Sequence, residues 1–462
     1  MSELDLWGKK VTVVGLARSG FAACALLAER GARVVGTDRS PAGELRVDLA
    51  ELARRGVRLE TGGHSERSFL ETDLIVISPG VDSRLPLLTR ARSRGIPVWG
   101  EVELAYRVTA APFIGVTGTK GKGTTATLLG EILRQGGKHA VVAGNIGRPL
   151  CEVVPTLSQE TWVVAELSSF QLEEIVSFRP RIAVLLNLAP DHLDRYAAAA
   201  DYYAAKSRIF AYQTAEDIAV LNADDPLVLQ YAQGARARVQ LFSRTRTVGD
   251  GAFVRGGRLV VRQDGRTQPI CETSAIRMPG AHNLENSLAA CAAAGAAGAG
   301  PEPMAGVLNA FEGRPHCMEV VAQVDGVRFI NDSKATNVFA VGRALEAVDN
   351  PVILIAGGRD KREDFRPLAP LVRRRVKALI AIGEARGKIL AEIGGECPAE
   401  EAAGMADAVE RASRRAAPGD VVLLSPGCTS FDMFQNAEER GEEFRRAVRK
   451  VESRGKTVER ER

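Results

Sequence analysis

The stretch Phe113-Ile-Gly-Val-Thr-Gly-Thr-Lys-Gly-Lys-Gly-Thr-Thr125 joins an apolar strand pattern to a glycine-rich turn, a lysine and helix-forming residues. Glycines let successive backbone N–H groups converge on an anion, and a helix N-terminus adds its positive partial charge. Lys122 would then reach the terminal phosphates of a nucleotide. The common pattern G-x-x-x-x-G-K-[ST] requires a glycine at Val116 and a hydroxyl at Gly123. Residues 118–124 (Gly118, Thr119, Lys120, Gly121, Lys122, Gly123, Thr124) are therefore expected to form a shortened phosphate loop without its usual magnesium-ligating hydroxyl.

Two polar clusters follow apolar runs behind that loop: Glu166-Leu-Ser-Ser-Phe-Gln171 and Asp191-His-Leu-Asp-Arg-Tyr196. Ligands collect at the carboxyl ends of parallel strands, so both clusters are expected to converge on Lys122. A carboxylate and an imidazole there suit magnesium beside a triphosphate. Taken singly, Glu166 reads as a solvated strand end, His192 as a surface histidine and Lys206 as an ordinary helix lysine. The pairing of the two clusters behind a phosphate loop favours a functional reading for the first two. Three more clusters end apolar runs near the C-terminus: Asn331-Asp-Ser-Lys-Ala-Thr-Asn337, Gly357-Gly-Arg-Asp-Lys361 and Ser425-Pro-Gly-Cys-Thr-Ser430. Turn chemistry explains their glycines and Pro426, but not the repeated lysines and hydroxyls.

These groups need scaffolds to position them. At 462 residues the chain exceeds one core, and two to four domains are expected. Residues 10–38 read as strand, turn and helix, then a strand ending at Asp38, with further strands at 74–78 and 96–99. The turn Gly15-x-Ala17-x-x-Gly20 nearly matches a dinucleotide fingerprint, but Ala17 replaces the glycine that admits a pyrophosphate, which disfavours an NAD-linked dehydrogenase. Strands are expected at 162–165, 182–186 and 219–221, then short β runs broken by Gly256-Gly257 and Asp264-Gly265, which imply a hairpin-rich insert. The alanine-rich segment 287–297 reads as a closely packed helix. Four buried-type strands at 327–330, 352–356, 378–382 and 421–425 predict a second doubly wound unit. The fold class expected is α/β, with two doubly wound Rossmann-like units flanking a central P-loop ATPase-type domain. Boundaries are expected at 1–110, 111–312 and 313–448, with residues 449–462 a charged, disordered tail.

Bulk composition excludes several classes. The formal charge of +4 gives no nucleic-acid footprint. Seven scattered cysteines without a C-x-x-C pair argue for reduced thiols, not a disulfide frame or zinc site. No apolar run nears the ~18 residues of a membrane span, and no basic-then-apolar leader is present. A cytoplasmic monomer is expected.

Together these segments resemble the Mur ligases, ATP-dependent amide-forming enzymes of peptidoglycan precursor synthesis. The resemblance spans nearly the whole chain: Gly118-Thr-Lys-Gly-Lys, Gly144-Asn-Ile-Gly147, Glu166-Leu-Ser-Ser, Asp191-His-Leu-Asp-Arg-Tyr, Gly280-Ala-His-Asn-Leu-Glu-Asn286 and Asn331-Asp-Ser-Lys-Ala-Thr-Asn337 stand in the family's order. Ser425-Pro-Gly-Cys-Thr-Ser-Phe-Asp-Met-Phe with Glu438-Glu-Arg-Gly441 is similar to the branch that adds D-glutamate, and the Asp-Asn-Pro-Arg signature of the diaminopimelate-adding branch is missing.

The resemblance implies roles. Gly15, Ser19, Gly20, Asp38, Ser78, Gly80, Asn145 and Ser168 would bind the UDP-linked substrate, UDP-N-acetylmuramoyl-L-alanine. Glu166, His192 and Lys206 would hold magnesium at two sites, with Lys206 as a carbamate. Asn283 and Asp332 would contact ATP. Lys334, Thr336, Lys361 and Ser430 would receive D-glutamate, cations and hydroxyls suiting a dicarboxylate. Lys122, His192, Lys206 and Lys334 would serve catalysis. ATP would convert the carboxylate into an acyl phosphate for attack by the amine, with the third domain closing to exclude water.

Four positions depart from the family. Gly123 replaces a serine or threonine, weakening one metal site. Lys120 replaces an asparagine, Cys317 an arginine for which Arg314 could compensate, and Ala437 an aromatic residue. They leave open a catalytically weakened nucleotide- or UDP-sugar-binding homologue. A superfamily ligase for another amino acid is the nearer alternative.

Overall fold

The computed structural model describes residues 4–45, 47–145, 147–192, 195–278, 280–313, 315–360 and 364–460. The chain divides into two compact units, Met1–Phe311 and Glu312–Arg462. Each expected apolar run forms a strand, and three sheets result.

The first sheet comprises β1 (Lys10–Val14), β2 (Arg33–Asp38), β3 (Arg58–Thr61), β4 (Leu74–Ile77) and β5 (Val98–Gly100). It is wholly parallel, in the order β3-β2-β1-β4-β5. Reversal of winding at β1 puts the turn after it at a topological switch point, where α/β sheets bind ligands.

The second sheet holds β6 (Phe113–Thr117), β7 (Ala140–Gly144), β8 (Trp162–Glu166), β9 (Ile182–Leu185), β10 (Ile218–Asn222), β11 (Arg238–Ser243), β12 (Gly251–Arg255), β13 (Arg258–Gln263) and β14 (Arg266–Glu272). Its order is β14-β13-β12-β11-β10-β9-β6-β8-β7. From β7 through β12 every pairing is parallel. The two hairpins turn at the Gly-Gly and Asp-Gly pairs, as expected, and extend this sheet's edge. The alanine-rich helix Ala281–Ala296 buries Ala289, Ala290 and Ala292–Ala294 in the same core as helix Lys122–Gln135. Small side chains let the two helices approach closely.

The helix Glu101–Arg107 rivets the first two sheets together. Glu103, fully buried, accepts N–H bonds from Val176, Ser177 and Phe178 at 2.8–2.9 Å and pairs with Arg107 at 2.6 Å. Glu101 accepts the Cys151 N–H at 2.7 Å. One apolar cluster runs from Val13 and Leu27 through Phe113 and Phe178 to Leu221.

The second unit contains β15 (Glu319–Val324), β16 (Val327–Asn331), β17 (Val352–Gly357), β18 (Val376–Ile382), β19 (Ala399–Glu401) and β20 (Val421–Leu424), in the order β15-β16-β20-β17-β18-β19. All pairs are parallel except β15 with β16, and an apolar layer covers each face. The helix Ala437–Arg460 runs through residues 449–460, so this part of the expected disordered tail is helical instead. Glu442 and Arg445, and Glu443 and Arg446, pair at i,i+3 along it, the kind of support that charged composition alone does not reveal.

Candidate active site

The order β7-β8-β6-β9 sets four carboxyl ends side by side, and each expected cluster of the first unit leaves from one of them. The loop after β6 turns at Gly118 (φ 150°) and Gly121 (φ 83°), which caps helix Lys122–Gln135. Both positions need glycine. A Cβ on Gly118 would meet Leu186 Cβ at 2.9 Å, and one on Gly121 would meet Asn286 Oδ1 at 2.2 Å. The loop is pinned from β9's side: Asn187 Oδ1 accepts the Lys120 N–H at 2.8 Å, and Thr119 exchanges hydrogen bonds with Ala189. Lys122 Nζ folds back onto the Gly118 and Thr119 carbonyls at 3.0 and 2.9 Å. Its burial holds the ammonium below the usual lysine range, while Glu166 works the other way.

Glu166 ends β8 and is 3% exposed. Its Oε1 accepts from Asn145 Nδ2 at 3.0 Å, while Oε2 is buried and accepts no hydrogen bond. A buried carboxylate oxygen left without a donor is costly unless a cation completes it. Lys206 sits 1% exposed on helix Ala199–Ser207, its Nζ 4.6 Å from the Tyr202 ring centre. Burial, then the nearby Lys122, hold its amine well below the usual range, opposed by Asp191 and Glu166. His192 takes a left-handed backbone (φ 55°), its ring against Phe170 and Tyr202. Lys120 pairs with Asp191 at 3.5 Å. The structure thus gathers Lys120, Lys122, Glu166, Asn145, Asp191, His192 and Lys206 around one loop. Among the described residues, no three His, Cys, Asp or Glu side chains form a metal cluster.

Asn283 joins this region through a neighbour. Its Oδ1 accepts from Asn286 at 3.4 Å, and Asn286 Oδ1 accepts from Thr125 Oγ1 at 3.4 Å. No role was expected for Asn286, Asn187 or Tyr202. Asn286 was findable, since i+3 spacing places it on the same helix face as Asn283. The Tyr202–His192 ring contact depends on tertiary folding and left no sequence signal.

The turn after β1 is built around Asp38 and Ser78. Asp38 accepts the Leu16 and Ser40 N–H groups at 2.7 and 2.9 Å, and Ser78 Oγ donates to the Gly15 carbonyl at 2.7 Å. A Cβ on Gly20 would lie 1.7 Å from the Gly15 carbonyl oxygen, so only glycine fits. Ser19 lies half-buried in the first turn of helix Arg18–Glu29, and Gly80 is exposed. Ser168 spends its hydroxyl on the cap of helix Ser169–Glu173. Arg195 binds the Pro79 and Val81 carbonyls at 3.1 and 3.2 Å and covers the Phe170 ring, tying the 78–81 turn to the second sheet.

In the second unit, the three polar clusters leave adjacent carboxyl ends of β16, β20 and β17. Backbone bonds join them: Gly427 N to Ala335 O, Gly357 N to Pro426 O, and Arg359 N to Thr429 O, all 2.8–2.9 Å. Asp332 accepts from Ser425 Oγ at 3.0 Å and from the Met318 N–H at 3.1 Å. Lys334 pairs with Glu438 at 2.5 Å, Thr336 is half-buried and Ser430 is buried. Lys361 and Arg314 lie outside the described residues. Asp332 and Lys334 belong to the second unit, and the phosphate loop belongs to the first. Arg440, for which the sequence reading assigned no role, is wholly buried among these loops.

Comparison with known proteins agrees with this architecture. The family descriptions that match are "Mur ligase MurD-like, N-terminal domain" over residues 9–100, "Mur ligase middle domain" over 116–294 and "Mur ligase, glutamate ligase domain" over 316–428. The chain is 46% identical to the UDP-N-acetylmuramoylalanine--D-glutamate ligase of Acidobacterium capsulatum over 96% of this chain and 97% of that one. It is 47% identical to the same-named ligase of Geotalea daltonii, covering 96% and 98%. The solved UDP-N-acetylmuramate-alanine ligase of Thermotoga maritima shares the fold, with a TM-score of 0.59 at 18% identity over 96% of this chain and 99% of that one. With a phosphate loop, a buried carboxylate beside it and identity near half along almost its full length, the chain belongs to the Mur ligase family.

Proposed function

We propose that this protein joins D-glutamate to UDP-N-acetylmuramoyl-L-alanine at the expense of ATP, a step of peptidoglycan precursor synthesis. The observation that carries the reading is the pairing of Lys122, in a glycine-built phosphate loop, with the orphan Oε2 of buried Glu166. Phosphate and a divalent cation complete those groups together. Domain limits at 1–110, 111–312 and 313–448 divide the work into UDP-substrate, ATP and amino-acid binding, and the enzyme acts as a cytoplasmic monomer.

The chemistry runs in two displacements. A carboxylate oxygen of the alanyl group attacks the γ-phosphorus, the bridging P–O bond breaks, and ADP leaves. The amine nitrogen of D-glutamate then attacks the acyl carbon, phosphate departs with the C–O bond, and the amine loses its proton. Lys122, half-buried at the helix start, supplies charge to the transferring phosphoryl group, and Lys120 adds to it. Asn145 orients Glu166 through its amide. Glu166, His192 and a carbamate on Lys206 fit magnesium, which when bound neutralises phosphate charge. Only two of these three are donors before modification, so most of the coordination sphere falls to phosphate oxygens and water. Burial of Lys206 supports the carbamate, because a neutral amine is the form that adds CO2. Asn283 and Asp332 serve the nucleotide. Gly15, Ser19, Gly20, Asp38, Ser78, Gly80, Asn145 and Ser168 serve the UDP substrate, with the Asp38 carboxylate acting through the turn it holds. Lys334, Thr336, Lys361 and Ser430 receive the dicarboxylate.

The test is phosphate release from ATP with UDP-N-acetylmuramoyl-L-alanine, with and without D-glutamate. Release that requires both supports the ligase. Release with a different amino acid reassigns the acceptor, and tight nucleotide binding without release leaves a catalytically weakened homologue.

A further inference from the structure

We infer that Arg440 is the positioning residue that holds the amino-acid pocket of the second unit in register. The inference rests on the D-glutamate reading above. Arg440 lies in the first turn of helix Ala437–Arg460 and is 0% exposed. Both features are unfavourable for a cation: the helix N-terminus is itself positive, and burial strips hydration. Burial pulls the guanidinium down to about 10, still charged at neutral pH. Its described acceptors are all neutral. Nε donates to Ser333 Oγ at 3.0 Å, Nη2 to Ser333 O at 2.8 Å and Nη1 to Cys428 O at 3.1 Å. The third loop closes against the same group, since a Cβ on Gly358 would lie 3.1 Å from Nη1.

One planar fork therefore bonds two of the three loops and borders the third at Gly358. Ser333 is flanked by Asp332 and Lys334, Cys428 precedes Ser430 by two residues, and Gly358 precedes Lys361 by three. Two donors of fixed geometry grip the hydroxyl and carbonyl of one residue while a third reaches another loop. A lysine, with a point charge on a flexible stem, cannot hold that arrangement. The groups that act on Arg440 electrostatically are the Cys428 thiol, Asp432 and Asp332, and Asp332 is already engaged by Ser425 and Met318. The net result is a rigid pocket floor with a buried positive charge, suited to an incoming dicarboxylate.

The experiment is steady-state kinetics of Arg440→Lys, Arg440→Met and Ser333→Ala with each of the three substrates varied in turn, alongside thermal melting. Arg440→Lys is expected to raise KM for D-glutamate by about tenfold or more, leaving KM for ATP and for the UDP substrate within about twofold. Arg440→Met exceeds it, and Ser333→Ala, losing one acceptor of three, gives a smaller shift of the same parameter. Should Arg440→Met not fold, the other two carry the test. A merely structural arginine would lower the melting temperature and kcat together with all three KM values unchanged, which overturns the inference. If the wild type turns over D-glutamate while Arg440→Lys keeps its KM, Arg440 alone has been misread. If the wild type ignores D-glutamate, the reading of the pocket fails and the inference falls with it.

Discussion

The two polar regions of this molecule are built on opposite principles. Around the phosphate loop, charged groups are withdrawn from water and left incomplete: among the described residues half-buried Lys122 donates only to carbonyls, buried Glu166 has an orphan oxygen, and Lys206 is buried above a tyrosine ring. At the carboxyl edge of the second unit's sheet, buried polar groups complete one another. Asn331 binds His316, Gly441 and Ser333, Asp332 binds Ser425 and Met318, and Arg440 binds Ser333 and Cys428. The first region stores a deficit that ligands relieve, whereas the second spends its hydrogen bonds on holding a shape. Substitutions should therefore separate the two by which quantity they move, rate or stability.

The largest separation is expected at Lys206. Lys206→Met removes a desolvated amine and keeps the volume, so the melting temperature should hold or rise while phosphate release falls by about a hundredfold or more. A parallel loss of stability would show that Lys206 is structural and that the contrast is false. Asn331→Leu tests the other side. It strands the buried His316 ring nitrogen, the Gly441 carbonyl and the Ser333 N–H, at a cost of about 2–4 kcal/mol and a melting shift of several degrees. An unchanged melt would mean that the second region is not self-supporting.

Different parts of this contrast were legible in the sequence to different degrees. The strands were readable because buried parallel strands are apolar runs, and the loops because glycine, lysine and hydroxyl clusters follow those runs. Gly118 and Gly121 were readable as a tight turn between strand and helix, and Leu186 and Asn286 now explain why no side chain fits there. What stayed hidden is whatever depends on who meets whom across the fold. Arg440 stood in a recognised segment, yet a charged residue four positions into a charged helix reads as solvated until burial is known. Asp38, expected at the substrate, also binds the Leu16 and Ser40 N–H groups and shapes the turn, which the sequence did not reveal. Glu101 and Glu103 drew no expectation at all, yet both are buried and tie the first two sheets together.

Glu101 sharpens the contrast further, because it too has a buried oxygen without a donor, yet it lies away from the lysines of the loop. Burial raises its carboxyl to about 7, far above its ordinary 4.5. The folded state thus holds a proton that the unfolded chain has released between roughly pH 4.5 and 7. Stability must fall as pH rises through that window and stay reduced above it, by about 1–3 kcal/mol. Glu101→Gln keeps an acceptor for the Cys151 N–H and removes the titration. Its melting temperature should exceed the wild type's at pH 8 and converge with it near pH 4.5. Parallel melting curves across the whole range would show that Glu101 is ionised in the fold and that its orphan oxygen is stabilised otherwise.

The smallest expected effect concerns the loop itself. Position 123 carries no side chain; Thr124 lies one residue on, about 100° round the helix, and the next two hydroxyls are turned elsewhere, Thr125 toward Asn286 and Thr127 onto the Gly123 carbonyl at 2.8 Å. Neither stands in for the hydroxyl that phosphate loops usually place next to the lysine. If water fills that place beside magnesium, Gly123→Ser supplies the missing oxygen and should lower the apparent KM for ATP by about two- to fivefold, most clearly at limiting magnesium. The gain is small because one neutral hydroxyl replaces one water, and because serine also favours a helix interior over glycine by only a few tenths of a kcal/mol. The signature is a change in ATP affinity that grows as magnesium is withdrawn. If both kcat and KM stay unchanged at every magnesium concentration, the loop lacks nothing, and the deficit on that side of the molecule resides in Glu166 and Lys206 alone.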